Sequence, residues 1–161
     1  MHLSVERLAN LLGVTALVAA DRMRIASRDA ALVHLQAWPG GSIEDLRRVL
    51  RISQPAAVRV VDRLAREHLL ERRAGPDART RSLHLTSAGD REATAVLERR
   101  GEALEAMLAP LDEDERRQLA PLLERLVSTL AHDRAGALTT CRLCDRGACT
   151  SGPGCPLDHT A

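Results

Sequence analysis

The chain has 161 residues, 23 basic against 22 acidic side chains, four cysteines, one tryptophan and no phenylalanine or tyrosine. That length suits one domain, and 45% apolar residues without a long Gly/Ser or Pro tract exclude a collagen-like or broadly disordered chain. No uncharged apolar run reaches the roughly 20 residues a membrane span needs, and the start Met-His-Leu-Ser-Val-Glu-Arg lacks the basic flank and apolar stretch of a secretory signal, so a cytoplasmic protein is the expectation.

From Ser4 to about Ser27, the positions Val5, Leu8, Leu12, Ala16, Ala19, Met23 and Ala26 step by three and four, which predicts one long amphipathic helix. A shorter helix from about Asp29 carries Leu32 and Leu35 and stops at Trp38-Pro39-Gly40-Gly41. Ser42 caps the next short helix, with Asp45 standing in for the capping-box acid and Leu46, Val49 and Leu50 as its apolar face. Ser53 caps a further helix that runs to about Glu67 through Val58, Val61, Leu64 and Ala65; Pro55 falls in its first turn, where a missing N–H costs little. Two helices in tight succession, the second rich in Arg, predict a helix-turn-helix.

The period then changes. Residues 70–73 and 81–85 read as two short strands around Gly75-Pro76-Asp77, a β-hairpin. Thr86-Ser87-Ala88-Gly89 opens a second long helix through Val96, Leu97, Gly101, Leu104 and Leu108, ending near Pro110. Asp112 and Glu115 form a capping box for the last helix, whose face is Leu119, Leu122, Leu123, Leu126, Val127 and Leu130; Pro121 inside it should kink or divide it. After Arg134 the composition shifts to Gly, Thr, Cys and Pro, so residues 135–161 read as a separate Cys-rich appendage.

The near-zero net charge is a cancellation. Residues 47–85 carry ten Arg against four acidic side chains, whereas residues 86–135 carry seven against eleven. No Lys occurs, which a codon bias explains as readily as selection for guanidinium chemistry. The basic middle coincides with the helix-turn-helix and hairpin, so a helix over 53–67 would enter a DNA major groove, where Gln reads adenine and Arg reads guanine. Gln54 lies in its first turn, and Arg59 and Arg63 are four apart on one face. Arg79 and Arg81 at the hairpin suit phosphates or a narrow minor groove, and Asp77 would pair with an Arg and shape the tip.

The wing segment Asp77-Ala78-Arg79-Thr80-Arg81-Ser82-Leu83-His84-Leu85-Thr86-Ser87-Ala88-Gly89 resembles the D-x-R…L-T-x-x-G signature of the MarR family of bacterial transcription regulators. Ser53-Gln54-Pro55-Ala56 through Val61-Asp62-Arg63-Leu64 resembles its recognition helix. The resemblance covers about residues 4–134. It implies a mainly α fold with a small β-hairpin wing: a winged helix-turn-helix over about 29–86 between dimerisation helices at about 4–27 and 87–134. It further implies a homodimer on a pseudo-palindromic operator, with repression relieved by a ligand or by oxidation. The implied DNA contacts are Ser53, Gln54, Arg59, Arg63, Arg79 and Arg81, with Asp77 wing-shaping. His68 stands where the family commonly has Gly; His tolerates a left-handed backbone better than most residues, so the wing should survive. Trp38, the sole aromatic, either packs the second helix or lines a ligand crevice.

The appendage carries Cys141, Cys144, Cys149 and Cys155, a zinc-knuckle rhythm outside the family resemblance. Bound Zn²⁺, an iron–sulfur cluster, reversible disulfides and a disordered tail are the competing readings of it. The other histidines show no shared metal spacing. No Gly-rich phosphate loop, Ser/His/Asp arrangement or thioredoxin-like setting supports an enzyme. The expected function is a dimeric, sequence-specific DNA-binding regulator, a repressor relieved by ligand, metal or oxidation. The alternative is a thiol-redox or metal-handling protein on a winged-helix body.

Overall fold

The computed structural model describes residues 4–75, 81–151 and 154–157; Asp77, Arg79 and His159 lie outside them. Ser4 caps the first helix, α1 (Val5–Met23), its hydroxyl accepting from the Arg7 N–H at 3.2 Å. The single helix expected to run on to Ser27 stops short. Arg24 turns left-handed (φ 44°), Ala26 is extended, and the Ala26 N–H donates to the Asp29 carboxylate, opening α2 (Ser27–Ala37). The apolar step from Met23 to Ala26 continues the helical period across this break, so periodicity alone misses it.

Helix α2 is buried from Ala30 to Leu35 and is the central element. Around it lie α3 (Ile43–Leu50), closed by the expected Ser42/Asp45 capping box, and α4 (Gln54–Arg66), capped by Ser53. Leu32, Leu35, Leu46, Val61, Leu64 and Leu83 are sealed from solvent and form one core. On α4 the inward face is Ala57, Val61 and Leu64, with Val58 only half-buried.

Beyond α4 the chain reverses at His68, which adopts φ 56°, the left-handed conformation its position demands, while Leu69 N–H bonds back to Leu64. Strand β1 (Leu70–Ala74) then pairs antiparallel with β2 (Arg81–Leu85), in register from Leu70 opposite Leu85 to Ala74 opposite Arg81. The other edge of β2 is covered too. Gly40 N–H donates to the Leu83 carbonyl and Leu83 N–H to the Gly41 carbonyl, each at 2.9 Å, and Gly40 at φ 89° supplies the turn that brings this segment alongside.

Thr86 joins the wing to α5 (Ser87–Leu108): its hydroxyl donates to the His68 carbonyl at 2.8 Å and accepts from the Gly89 N–H at 3.1 Å. Helix α6 (Glu113–Val127) has the expected Asp112/Glu115 box and continues through Pro121 undivided. None of its residues is buried, so the carbonyl that loses a partner at Pro121 is not sealed in apolar surroundings. Among the described residues two short helices follow, α7 (Arg134–Thr140) and α8 (Arg146–Thr150), capped by Asp133 and Asp145. Helix α7 packs on α3, Leu143 touches the central core, and Leu157 is buried.

Arg28 at the start of α2 meets Glu67 at the end of α4 (2.9 Å) and Glu92 of α5 (3.3 Å). By contrast, α1 and α6 contain no buried residue: Leu12, Leu17, Leu122 and Leu126 are each more than half exposed. Among the described residues, no helix is long and apolar enough to cross a membrane.

Candidate nucleic-acid interface and cysteine cavity

Gln54, Arg59 and Arg63 of α4 are all exposed, with Ser53 exposed at its N-cap. The positive end of the helix dipole lies at that cap, as an anionic backbone requires. The two arginines are not equivalent. Arg63 donates to Glu67 at 2.7 Å, and this bond, followed by the one from Arg28, holds the Glu67 carboxyl below its ordinary range. Arg59 has no ion-pair partner among the described residues, so it reaches an incoming acceptor without breaking a contact. Arg63 is released at smaller cost because Glu67 keeps Arg28.

Asp62, one residue before Arg63, bonds Arg72 of β1 and so ties the wing to α4. Arg73 pairs with its strand neighbour Glu71. Arg81 is exposed at the start of β2, pointing the cationic edge of the wing away from the core. The expected tip contacts, Arg79 and the wing-shaping Asp77, lie outside the described residues. On α3, Glu44 accepts from Arg47 and Arg48, and the Arg47 hydrogen bond leads in holding its carboxyl down at about 2. Much of the α3 positive charge is therefore compensated locally.

Behind α3 the four cysteines line a single cavity of about 140 Å³ together with Trp38, Leu138 and Leu157. Trp38 thus packs the end of α2 against the C-terminal segment, a role its place before Pro39 did not signal. Its ring stacks on His34, with centroids 5.1 Å apart, and Arg146 lies over it at 5.5 Å. None of the cysteines is in a disulfide. A hydrogen bond from the Cys144 thiol pushes Cys141 down, and the same bond, with burial, pushes Cys144 far up. Among the described residues, no group of three or more His, Cys, Asp or Glu side chains is placed to hold a metal ion as it stands.

His34 is 5% exposed and its Nδ1 has no hydrogen-bond partner among the described residues. Burial pushes its pKa down from the ordinary 6.5, against a weaker opposing field from Asp45. With the folded value depressed, the unfolded chain takes the proton first. Stability is therefore full above about pH 6.5 and falls as the pH drops below it. Thermal unfolding followed by circular dichroism should show this acid-side loss, and His34→Leu should flatten it; an identical profile in the variant would assign the loss elsewhere.

No protein-family model matches the chain, and no curated protein does. Solved structures match closely in fold. MepR, a transcription regulator of the Staphylococcus aureus multidrug efflux pump MepA, superposes with a TM-score of 0.64 at 18% identity, covering 80% of this chain and 100% of its own. Apo MarR from E. coli gives a TM-score of 0.61 at 21% identity, covering 78% and 98%. A probable transcriptional regulator from Pseudomonas aeruginosa is 30% identical, with a TM-score of 0.52, over 74% of this chain and 92% of that one. The winged-helix architecture expected from the sequence is the one these regulators share.

Proposed function

We infer that this chain, whose structural neighbours are MarR-family transcriptional regulators, is itself a homodimeric, sequence-specific DNA-binding regulator working in the cytoplasm. The observation that carries this reading is the pairing of two surfaces. A capped helix exposes Gln54, Arg59 and Arg63 beside a cationic wing, while α1 and α6 leave apolar stripes uncovered on a fold whose core is otherwise sealed. The first surface fits a major groove and the backbone beside it. The second fits a second copy, which would set two recognition helices on a pseudo-palindromic operator. Arg79 is carried forward as a minor-groove contact, and repression relieved by a ligand, a metal or oxidation is the mode of action.

Anisotropy titration of DNA from upstream of the gene tests the reading. Arg59→Ala should weaken specific binding by about 1–3 kcal/mol, the range for a lost base-edge contact. Arg63→Ala should cost less, because Glu67 already competes for that guanidinium. If no upstream fragment binds more than about tenfold tighter than random DNA at physiological salt, the regulator reading fails.

A further inference from the structure

Four thiols drawn from separate pieces of the C-terminal segment converge on one cavity. Cys141 caps the end of α7, Cys144 follows in the turn, Cys149 lies in α8, and Cys155 follows Gly154, whose φ of 106° bends the chain back. Helices of seven and five residues are far too short to persist alone. Yet the segment is seated, with Leu157 only 3% exposed and Leu143 against the central core. Something must hold the turns between these elements, and the apolar contacts involve only a few side chains.

We propose that Cys141, Cys144, Cys149 and Cys155 form one mononuclear Zn²⁺ site whose loading fixes the C-terminal segment against α3 and Trp38, the first helix of the helix-turn-helix and the end of α2. The proposal rests on the DNA-binding reading only for its regulatory consequence. Three observations support the site itself.

All four cysteines border one cavity of about 140 Å³. Zn–S bonds of about 2.3 Å would draw these four sulfurs into a tetrahedron with edges of roughly 3.8 Å. Charge is the second observation. Four thiols surrender four protons to solvent on binding Zn²⁺, and the resulting centre carries a formal −2; Arg134 and Arg146, both lining the cavity, balance it. Softness is the third: an all-sulfur donor set beside apolar Trp38, Leu138 and Leu157 selects Zn²⁺ over oxygen-seeking cations.

Because α7 packs on α3 and Trp38 shares the cavity wall, ordering the four ligands orders the scaffold on which α4 is mounted. Zn²⁺ would then act on DNA binding through the position of α3.

The full-length chain, reduced and stripped of metal, is titrated with Co²⁺ and then Zn²⁺. The expected result is saturation at one ion per chain, with intense thiolate-to-cobalt charge-transfer bands that Zn²⁺ abolishes. Trp38 emission should change at the same equivalence point, and with one tryptophan and no tyrosine that signal has a single source. Cys149→Ser should keep the helical circular dichroism and lose affinity by on the order of 100-fold. In the second arm, upstream DNA is titrated with Zn²⁺ or with chelator, and the wild-type affinities should differ by about tenfold or more while those of Cys149→Ser coincide. Sub-stoichiometric cobalt, a silent Trp38, equal affinity in Cys149→Ser, or iron–sulfur absorption in anaerobically purified protein would overturn the site. Equal DNA affinity with and without Zn²⁺ would overturn the coupling. A chain that binds Zn²⁺ one to one but no DNA would sink the regulator reading and leave the site standing.

Discussion

Gly89→Ala is expected to destabilise the fold severely, although helix propensity alone predicts the reverse. Alanine in place of glycine inside a helix is worth about 1 kcal/mol in favour of folding. At this position a Cβ would stand 2.0 Å from the Leu69 carbonyl oxygen and 3.0 Å from its carbon, and both are backbone atoms. That carbonyl is not free to retreat, because it accepts the Thr86 N–H at 3.1 Å, and Thr86 in turn holds the His68 carbonyl. The steric term therefore wins, at about 3 kcal/mol. For a chain of this size the thermal midpoint should fall by roughly 6–12 °C. A control at Gly101, where the nearest atom to an added Cβ is the flexible Glu105 carboxylate at 4.0 Å, should be neutral or stabilising. Equal melting curves for Gly89→Ala and wild type would show that the wing and α5 are packed less tightly than described.

The second large effect concerns the uncovered apolar stripes. Leu122 and Leu126 lie one turn apart on α6 and are 59% and 52% exposed; Leu12 on α1 is 56% exposed. Such side chains scattered singly need no explanation, but two helices without one buried residue between them do. With a second copy covering these faces, each leucine contributes its transfer energy at the interface, on the order of 1.5–3 kcal/mol. Leu122→Asp combined with Leu126→Asp should convert the dimer to monomer in sedimentation equilibrium, with the helical spectrum preserved because neither side chain belongs to the core. Operator affinity should fall on the order of 10²–10⁴-fold, since two half-sites would then be bound independently. A wild-type chain that sediments as a monomer at micromolar concentration would remove the premise.

The capped, strongly patterned elements were legible in the sequence because their signals are local. The Ser42/Asp45 and Asp112/Glu115 boxes and the Ser53 cap each act within one turn, and each appears where the residues placed it. The break after Met23 was not legible. It depends on a left-handed Arg24 and on the Asp29 carboxylate turning back to Ala26, neither of which disturbs the apolar spacing. The division expected at Pro121 does not occur, since a helix with no buried residue accommodates a missing hydrogen bond.

For the candidate site, Gln54, Arg59 and Arg63 were expected on the helix and are exposed there; their contact with DNA belongs to the proposal. The Arg63–Glu67 pair is an i,i+4 contact within reach of the spacing; what the spacing could not supply was the second partner of Glu67, because Arg28 lies thirty-nine residues away. The cysteines were conspicuous as a composition, but their surroundings were not. Helices α7 and α8 are too short to leave a period, and the meeting of Trp38 with Arg146 is a long-range contact between segments that share no motif.

Arg28 gives the molecule a mechanical property. One guanidinium bonds across the start of α2, the far end of α4 and α5, so the three helices are tied at a single charged point. If α5 and the apolar helices join two copies, any tilt of α5 is delivered to both recognition helices with opposite sense about the two-fold axis. Successive major grooves on one face of DNA repeat at about 34–36 Å, so a change of only a few ångströms in reach is enough to put one helix out of step with its half-site.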